Sequence, residues 1–255
     1  MNAKALQRFA PWLLLAAVLV LWQVGVTVFK VPDFVFPSPW QIAQEFTAYT
    51  GPLMRAAWST FWVTMVGFGL AIAVGVLLGF LIGSSRVAYS AVYPLMVGFN
   101  AVPKAAIVPI LVVWFGIGIG PGILTAFLIS FFPIMVNVAT GLATLEPELE
   151  DVLRVLGAKR WDVLVKVGLP RSMPYFYGSL KVAITLAFVG TVLAEMTAGD
   201  SGIGNLIQTA GSQQRMPLAF AGLVLISVMA MAMYELFSYV EKHTTAWAHR
   251  GSQGV

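Results

Sequence analysis

No charged side chain lies between Arg55 and Arg86, and Lys104 alone interrupts the stretch from Val87 to Leu145. In the hydrocarbon core of a bilayer, backbone amides and carbonyls must find partners inside their own segment, so uncharged runs of this length are read as helices. Of the 255 residues, 59% are hydrophobic and only 10% charged. No water-soluble fold of this size could hide that much apolar surface. The expected fold class is therefore all-α, a polytopic membrane protein with about six transmembrane helices of about 20 residues each.

The charges delimit the spans. Lys4 and Arg8 precede the uncharged run Pro11 to Phe29, which has the outline of a signal peptide, but Lys30-Val31-Pro32-Asp33 offers no small-x-small cleavage site. It is expected to remain as the first span. The second lies within Ala56 to Gly83, where Gly75, Gly79 and Gly83 recur every four residues and let a neighbouring helix approach closely within the same chain. The third, about Tyr89 to Phe115, contains Pro94, Pro103 and Pro109 and is expected to be kinked or interrupted. A Gly-rich turn, Gly116 to Gly122, releases the fourth helix, about Ile123 to Leu142, and a fifth near Tyr175 to Ala198 and a sixth near Pro217 to Tyr239 follow.

Several chemistries are excluded at once. Without cysteine there are no disulfides, thiolate nucleophiles or Cys-ligated metals, and the two histidines, His243 and His249, stand in the polar C-terminal tail. No metal site and no cofactor are expected. The net charge of +4 is not gathered into a basic patch with interleaved aromatics, which argues against nucleic acid. Loop cations facing the cytoplasm explain it instead. With a cytoplasmic N-terminus, Lys4, Arg8, Arg86, Arg154, Lys159, Arg160, Lys166, Arg171, Lys181, Lys242 and Arg250 lie inside, Lys30, Arg55 and Arg215 outside, and Lys104 in the membrane. That balance favours six spans with both termini cytoplasmic and places the segment from Pro37 to Tyr49 outside, as a short helix at the membrane surface.

The one long charged stretch runs from Glu146 to Arg171. Pro147 suits a first helical position, the acids Glu148, Glu150 and Asp151 suit the first turns, and Gly157 suits a left-handed stop. A second short helix is expected through Trp161 to Val167, stopped by Gly168 and Pro170. Leu149, Val152, Leu153, Val155 and Leu156 make this loop more apolar than a solvated helix requires. It either packs on its own bundle or projects as a knob for a cytoplasmic partner.

The loop resembles the signature of permeases from binding-protein-dependent importers: Glu-Ala-Ala, three residues, Gly, nine residues, Ile, one residue, Leu-Pro. Gly157 is followed after nine residues by Val167, then Gly168, Leu169 and Pro170, while Asp151-Val152-Leu153 stands where Glu-Ala-Ala is expected. Pro37-Ser38-Pro39, Val113-Trp114-Phe115-Gly116-Ile117-Gly118, Ala194-Glu195-Met196 and Ser201-Gly202-Ile203-Gly204 are similar to stretches of the nitrate, sulfonate and taurine branch. The likeness covers about residues 30 to 247. It implies the type I importer permease (MetI-like) fold, with residues 1–55 as first span and surface segment, 56–245 as transmembrane domain carrying coupling helices at 146–171, and 246–255 as cytoplasmic tail. It also implies a bacterial inner-membrane permease of two identical copies, two cytoplasmic ATPase subunits and a periplasmic solute-binding protein. The residues assigned to the ATPase seat are Glu150, Asp151, Leu153, Leu156, Gly157, Ala158, Lys159, Arg160, Leu169 and Pro170. No Gly-x-x-x-x-Gly-Lys-Ser/Thr loop occurs in the chain, so the energy is expected from a partner and the chain is not expected to be an enzyme.

Lys104 is an ionisable group inside the membrane and reads either as a path residue or as a snorkelling side chain. Glu195, near the outer end of the fifth helix, reads as its partner, an external gate element or an interfacial group. Asn100 and Asn137 line the path or bond between helices; Trp62, Trp114 and Phe115 read as interfacial. An ion-coupled carrier would show paired repeats and several intramembrane acids, and a membrane enzyme a nucleophile or metal cluster. Neither pattern is evident. The solute is expected to be a small organic anion such as a sulfonate, nitrate or carboxylate, with an uncharged heterocycle or vitamin precursor as the alternative.

Overall fold

The computed structural model of the chain describes residues 3–144, 152–153 and 155–245, and among them every regular element is helical. In order these are α1 (Ala3–Val28), α2 (Pro39–Ala48), α3 (Thr50–Gly83), α4 (Arg86–Asn100), a 3-10 turn (Lys104–Ile107), α5 (Val108–Phe115), α6 (Ile119–Ala143), α7 (Arg160–Val163), a π turn (Leu164–Gly168), α8 (Leu169–Ala198), α9 (Gly202–Ser212) and α10 (Met216–Thr244). Five helices are long and apolar enough to cross a membrane, and the pair α4 and Lys104–Phe115, bent by 71°, passes the same test together and gives a sixth, broken candidate span. The break falls where Pro103 starts the 3-10 turn and Pro109 opens α5, so the prolines sit at helix starts, where their missing amide leaves no carbonyl unpaired.

α3, α6 and α8 form the centre. Gly79 of α3 lies so close to α6 that a Cβ there would stand 2.7 Å from the Met135 carbonyl oxygen, and one at Gly75 would touch Ile134 at 3.0 Å. Gly190 does the same for α8 against α6, with the Thr125 carbonyl oxygen 2.9 Å from the missing Cβ. Backbone-to-backbone contact replaces large side chains, which is how apolar helices gain packing energy in a solvent as apolar as themselves. Around this trio Phe68, Phe131, Phe132, Ile134, Ile184 and Phe188 are buried. A second cluster, including Ile42, Leu53, Ile203, Ile207 and Leu218, joins α2, α9 and the starts of α3 and α10 at the far end of the bundle. α1 and α10 keep broad apolar faces such as Trp12, Leu21, Met231 and Tyr239 exposed, as lipid-facing surfaces do.

The glycine repeat thus packs within the chain, and the surface segment is the expected short helix: Ser38 accepts from the Gln41 amide while the Gln41 side chain accepts from the Ser38 amide at 2.8 Å. Three boundaries differ from the sequence reading. The turn after α5 is only Gly116 to Gly118, because Gly120, Pro121 and Gly122 fit the first turn of α6, where a proline blocks no hydrogen bond. α3 begins at Thr50, which carries Arg55 inside a helix. The helix expected to stop at Gly168 and Pro170 does not stop. Gly168 (φ −60°, ψ −52°) stays helical, and Trp161 to Ala198 runs as one continuous helix of 38 residues. The π turn widens the helix just ahead of Pro170, which then occupies an early position of α8 instead of blocking its interior.

Candidate functional site

Because residues 161 to 198 run as one long helix, the loop before Trp161 and the segment after Ala198 sit at opposite ends of the bundle. At the loop end, residues 152, 153 and 155 are helical and Gly157 adopts φ +86°. The Ala158 amide donates to the Leu153 carbonyl at 3.0 Å, the long-range bond of a glycine-terminated helix end. The next helix is then capped from within, since Asp162 accepts from the Lys159 amide at 3.2 Å and pairs with Lys166 at 2.8 Å. Val155 and Leu156 are 88% and 78% exposed, so the loop presents apolar groups that nothing in the chain covers among the described residues. Leu169 and Pro170 are exposed, Leu153 and Ala158 half-buried, and Lys159 exposed. Trp161 turns back, with its ring 6.0 Å from that of Phe80 in α3. Glu150, Asp151 and the side chain of Arg160 lie outside the described residues.

In the broken span, Lys104 stands at the bend. Its ammonium donates to the Asn100 carbonyl at 3.2 Å and to Asn100 Oδ1 at 2.8 Å, and lies 5.7 Å from the centre of the Phe132 ring. Among the described residues no carboxylate is within ion-pair distance of it. The structure therefore brings Asn100 and Lys104 together and adds Phe132 beneath them. Asn137 stands apart, donating to the Pro133 carbonyl of its own helix at 2.8 Å. Trp62, Trp114 and Phe115 are exposed on the outside of the bundle.

Glu195 is not the partner of Lys104. It is buried at the opposite end from the loop, accepting from the Thr60 hydroxyl and the Gly204 amide, each at 2.9 Å. Below it the Thr64 hydroxyl bonds to Thr191 Oγ1 at 2.9 Å, so a buried polar column joins α3 to α8. Sequence reasoning passed over Thr60, Thr64 and Thr191. The available signal was spacing: Thr60 with Thr64, and Thr191 with Glu195, are two i,i+4 polar pairs on otherwise apolar spans.

The family model described as binding-protein-dependent transport system inner membrane component matches residues 71–245. The riboflavin transport system permease protein of Chloroflexus aurantiacus is 31% identical, with 96% of this chain and 94% of that protein covered. The formylaminopyrimidine transport permease protein of Halalkalibacterium halodurans is 26% identical over 96% of this chain and 98% of that one. A putative aliphatic sulfonates transport permease protein of Bacillus subtilis is 27% identical, over 92% and 86%. Among solved structures, an inward-facing form of the MetNI methionine ABC transporter is similar in fold, with a TM-score of 0.65 at 19% identity, covering 78% of this chain and 98% of that one.

Proposed function

The chain belongs to the family of binding-protein-dependent transport system inner membrane components, and from that premise we propose that two copies of it enclose a path for a small organic anion. The family membership makes it a membrane-spanning permease subunit of an ATP-driven importer, with hydrolysis carried out by a separate ATPase subunit and solute delivered by a binding protein. The single observation behind the anion is Lys104. It is a cation at the bend of a broken span, held by neutral Asn100 and an aromatic face and left without a carboxylate among the described residues. An uncompensated charge at membrane depth is retained where it faces water or an opposite charge. A solute of the nitrate, sulfonate and taurine class supplies that charge, and the sulfonate permease among the relatives supports it. The riboflavin and formylaminopyrimidine permeases among the relatives favour a second reading, an uncharged heterocycle.

Lys104→Met keeps the side-chain length and removes the charge. Uptake should fall by about two orders of magnitude, a loss of about 2–3 kcal/mol of charge-assisted hydrogen bonding, while the amount of assembled complex stays the same. Lys104→Arg should keep part of the uptake. Normal transport by Lys104→Met overturns the anion and leaves the heterocycle.

Coupling is assigned to Glu150, Asp151, Leu153, Leu156, Gly157, Ala158, Lys159, Arg160, Leu169 and Pro170, with exposed Val155 and Leu156 entering a groove of the ATPase. Both termini and this loop are then cytoplasmic, in a bacterial inner membrane, and the homodimer buries the open side of the broken span. Cysteines placed singly at Arg8 and Lys159 should resist a membrane-impermeant thiol reagent in intact cells, whereas one at Arg215 should react. The chain has no cysteine of its own, so the readout has no background. Labelling of the Lys159 position from outside reverses the orientation.

A further inference from the structure

Glu195 is 6% exposed, the only carboxylate so buried among the described residues. The Thr60 hydroxyl reaches its two oxygens at 2.9 Å each and the Gly204 amide reaches Oε2 at 2.9 Å; no Lys or Arg among the described residues comes within ion-pair distance. An ionised carboxylate offers about four acceptor sites, so two donors without a cation leave its lost hydration poorly replaced. Glutamine could meet the same partners, its oxygen accepting from Gly204 and its amide donating to Thr60, with no charge to bury. What the carboxylate adds is a fastening that gives way readily to water once the site opens.

The partners identify what opens. Ile203 and Gly204 belong to the first turn of α9, and its N-cap residue, Ser201, makes no capping bond of its own. Glu195 takes the Gly204 amide and Thr60 Oγ1 takes the Ile203 amide at 2.8 Å, so α9 is capped by side chains from α8 and α3. Gly202 (φ +96°) folds the chain over the carboxyl group, where a Cβ would overlap it. Ser59 Oγ and Ser201 Oγ, 3.1 Å apart, close the same seam from its edge. Next to this seam, between the start of α3 and α9, lies a cleft of about 350 Å³ lined by Arg55, Ser201, Asn205, Thr209 and Gln213.

We propose that Thr60, Glu195 and the first turn of α9 form a latch at the end of the bundle away from the coupling loop, and that this latch opens in each transport cycle, releasing α9 from α3. The proposal rests on the importer function above but not on the identity of the solute.

The test uses the complete importer, permease with its ATPase, reconstituted in lipid, and reads ATP turnover with and without the purified binding protein. Ser59→Cys with Ser201→Cys places two thiols at the seam in a chain free of other cysteines. Oxidation by copper phenanthroline should form the disulfide and lower stimulated turnover by at least about tenfold, the scale of a blocked gating step, with recovery on reduction. Equal stimulation in the oxidised and reduced forms overturns the latch, and so does a pair that does not cross-link. Absence of stimulation in the reduced form would count against the importer reading itself. Glu195→Gln should slow stimulated turnover by about threefold or more, and Glu195→Ala should raise turnover without binding protein by a similar factor, as opposite shifts of one closed–open equilibrium. Equal or parallel shifts in the two variants overturn it. If Glu195→Ala does not accumulate, Thr60→Val, which removes the hydroxyl at nearly constant volume, takes its place.

Discussion

Gly157→Val should yield an importer that reaches the membrane and holds its shape yet no longer answers its ATPase. Gly157 sits at φ +86° with nothing within 4 Å of the position a Cβ would take, so packing forbids nothing there and the whole penalty is conformational. A β-branched residue in this region is strained by about 1–3 kcal/mol, enough to redirect the chain. The redirected segment is the one proposed to seat on the ATPase. Ala158 would lose its bond to the Leu153 carbonyl, and exposed Val155 and Leu156 would shift relative to the Asp162-capped turn that follows. Gly157→Asn, which tolerates left-handed backbone, should keep most of the binding-protein-stimulated ATP turnover, Gly157→Ala less, and Gly157→Val little. Turnover in that graded order, at constant membrane abundance, is the expected result; wild-type turnover in Gly157→Val would remove the loop from the coupling role.

That glycine was legible in the sequence because a helix stop with acids before it and a short apolar patch inside it has few other readings. The spans were legible for the same reason: hydrocarbon leaves a charge-free run little choice but a helix. What the sequence hid was continuity. Gly168 and Pro170 look like a stop in any local reading, and only the π turn at Leu164–Gly168 shows how one helix passes them. Partnership was hidden too. Lys104 and Glu195 were the conspicuous ionisable groups of the apolar spans, and pairing them was natural on charge alone. The structure instead gives Lys104 to Asn100, four residues away, and Glu195 to Thr60, which is 135 residues away. Hydroxyls carry no charge and their i,i+4 spacing marks only a polar face on each helix, so that the two faces meet as one column between α3 and α8 appears only once the helices are packed.

Replacing Gly67 by leucine should prevent the chain from accumulating in the membrane, while the same change two residues on, at Gly69, should be close to silent. Gly67 and Gly69 lie on one helix, α3, and pay the same intrinsic helix penalty relative to alanine, about 1 kcal/mol. Their surroundings differ. A Cβ at Gly67 would stand 2.6 Å from the Ile123 carbonyl oxygen and 2.7 Å from the Ala126 Cβ, whereas one at Gly69 meets nothing within 4 Å. Overpacking a core by a few methylenes costs about 1–3 kcal/mol when side chains can yield. Here the obstacle is the backbone of α6, which is pinned in turn by Gly75, Gly79 and Gly83 on one side and by Gly190 of α8 on the other. α6 cannot retreat from Gly67 without loosening its contact with α8, so the strain spreads to the three helices that hold the bundle together. Immunoblotting of membranes for full-length protein, with Gly69→Leu as the matched control, measures the difference. Equal amounts of the two variants would mean that α3 and α6 are not held backbone to backbone, and that the glycine spacing along α3 has some other cause.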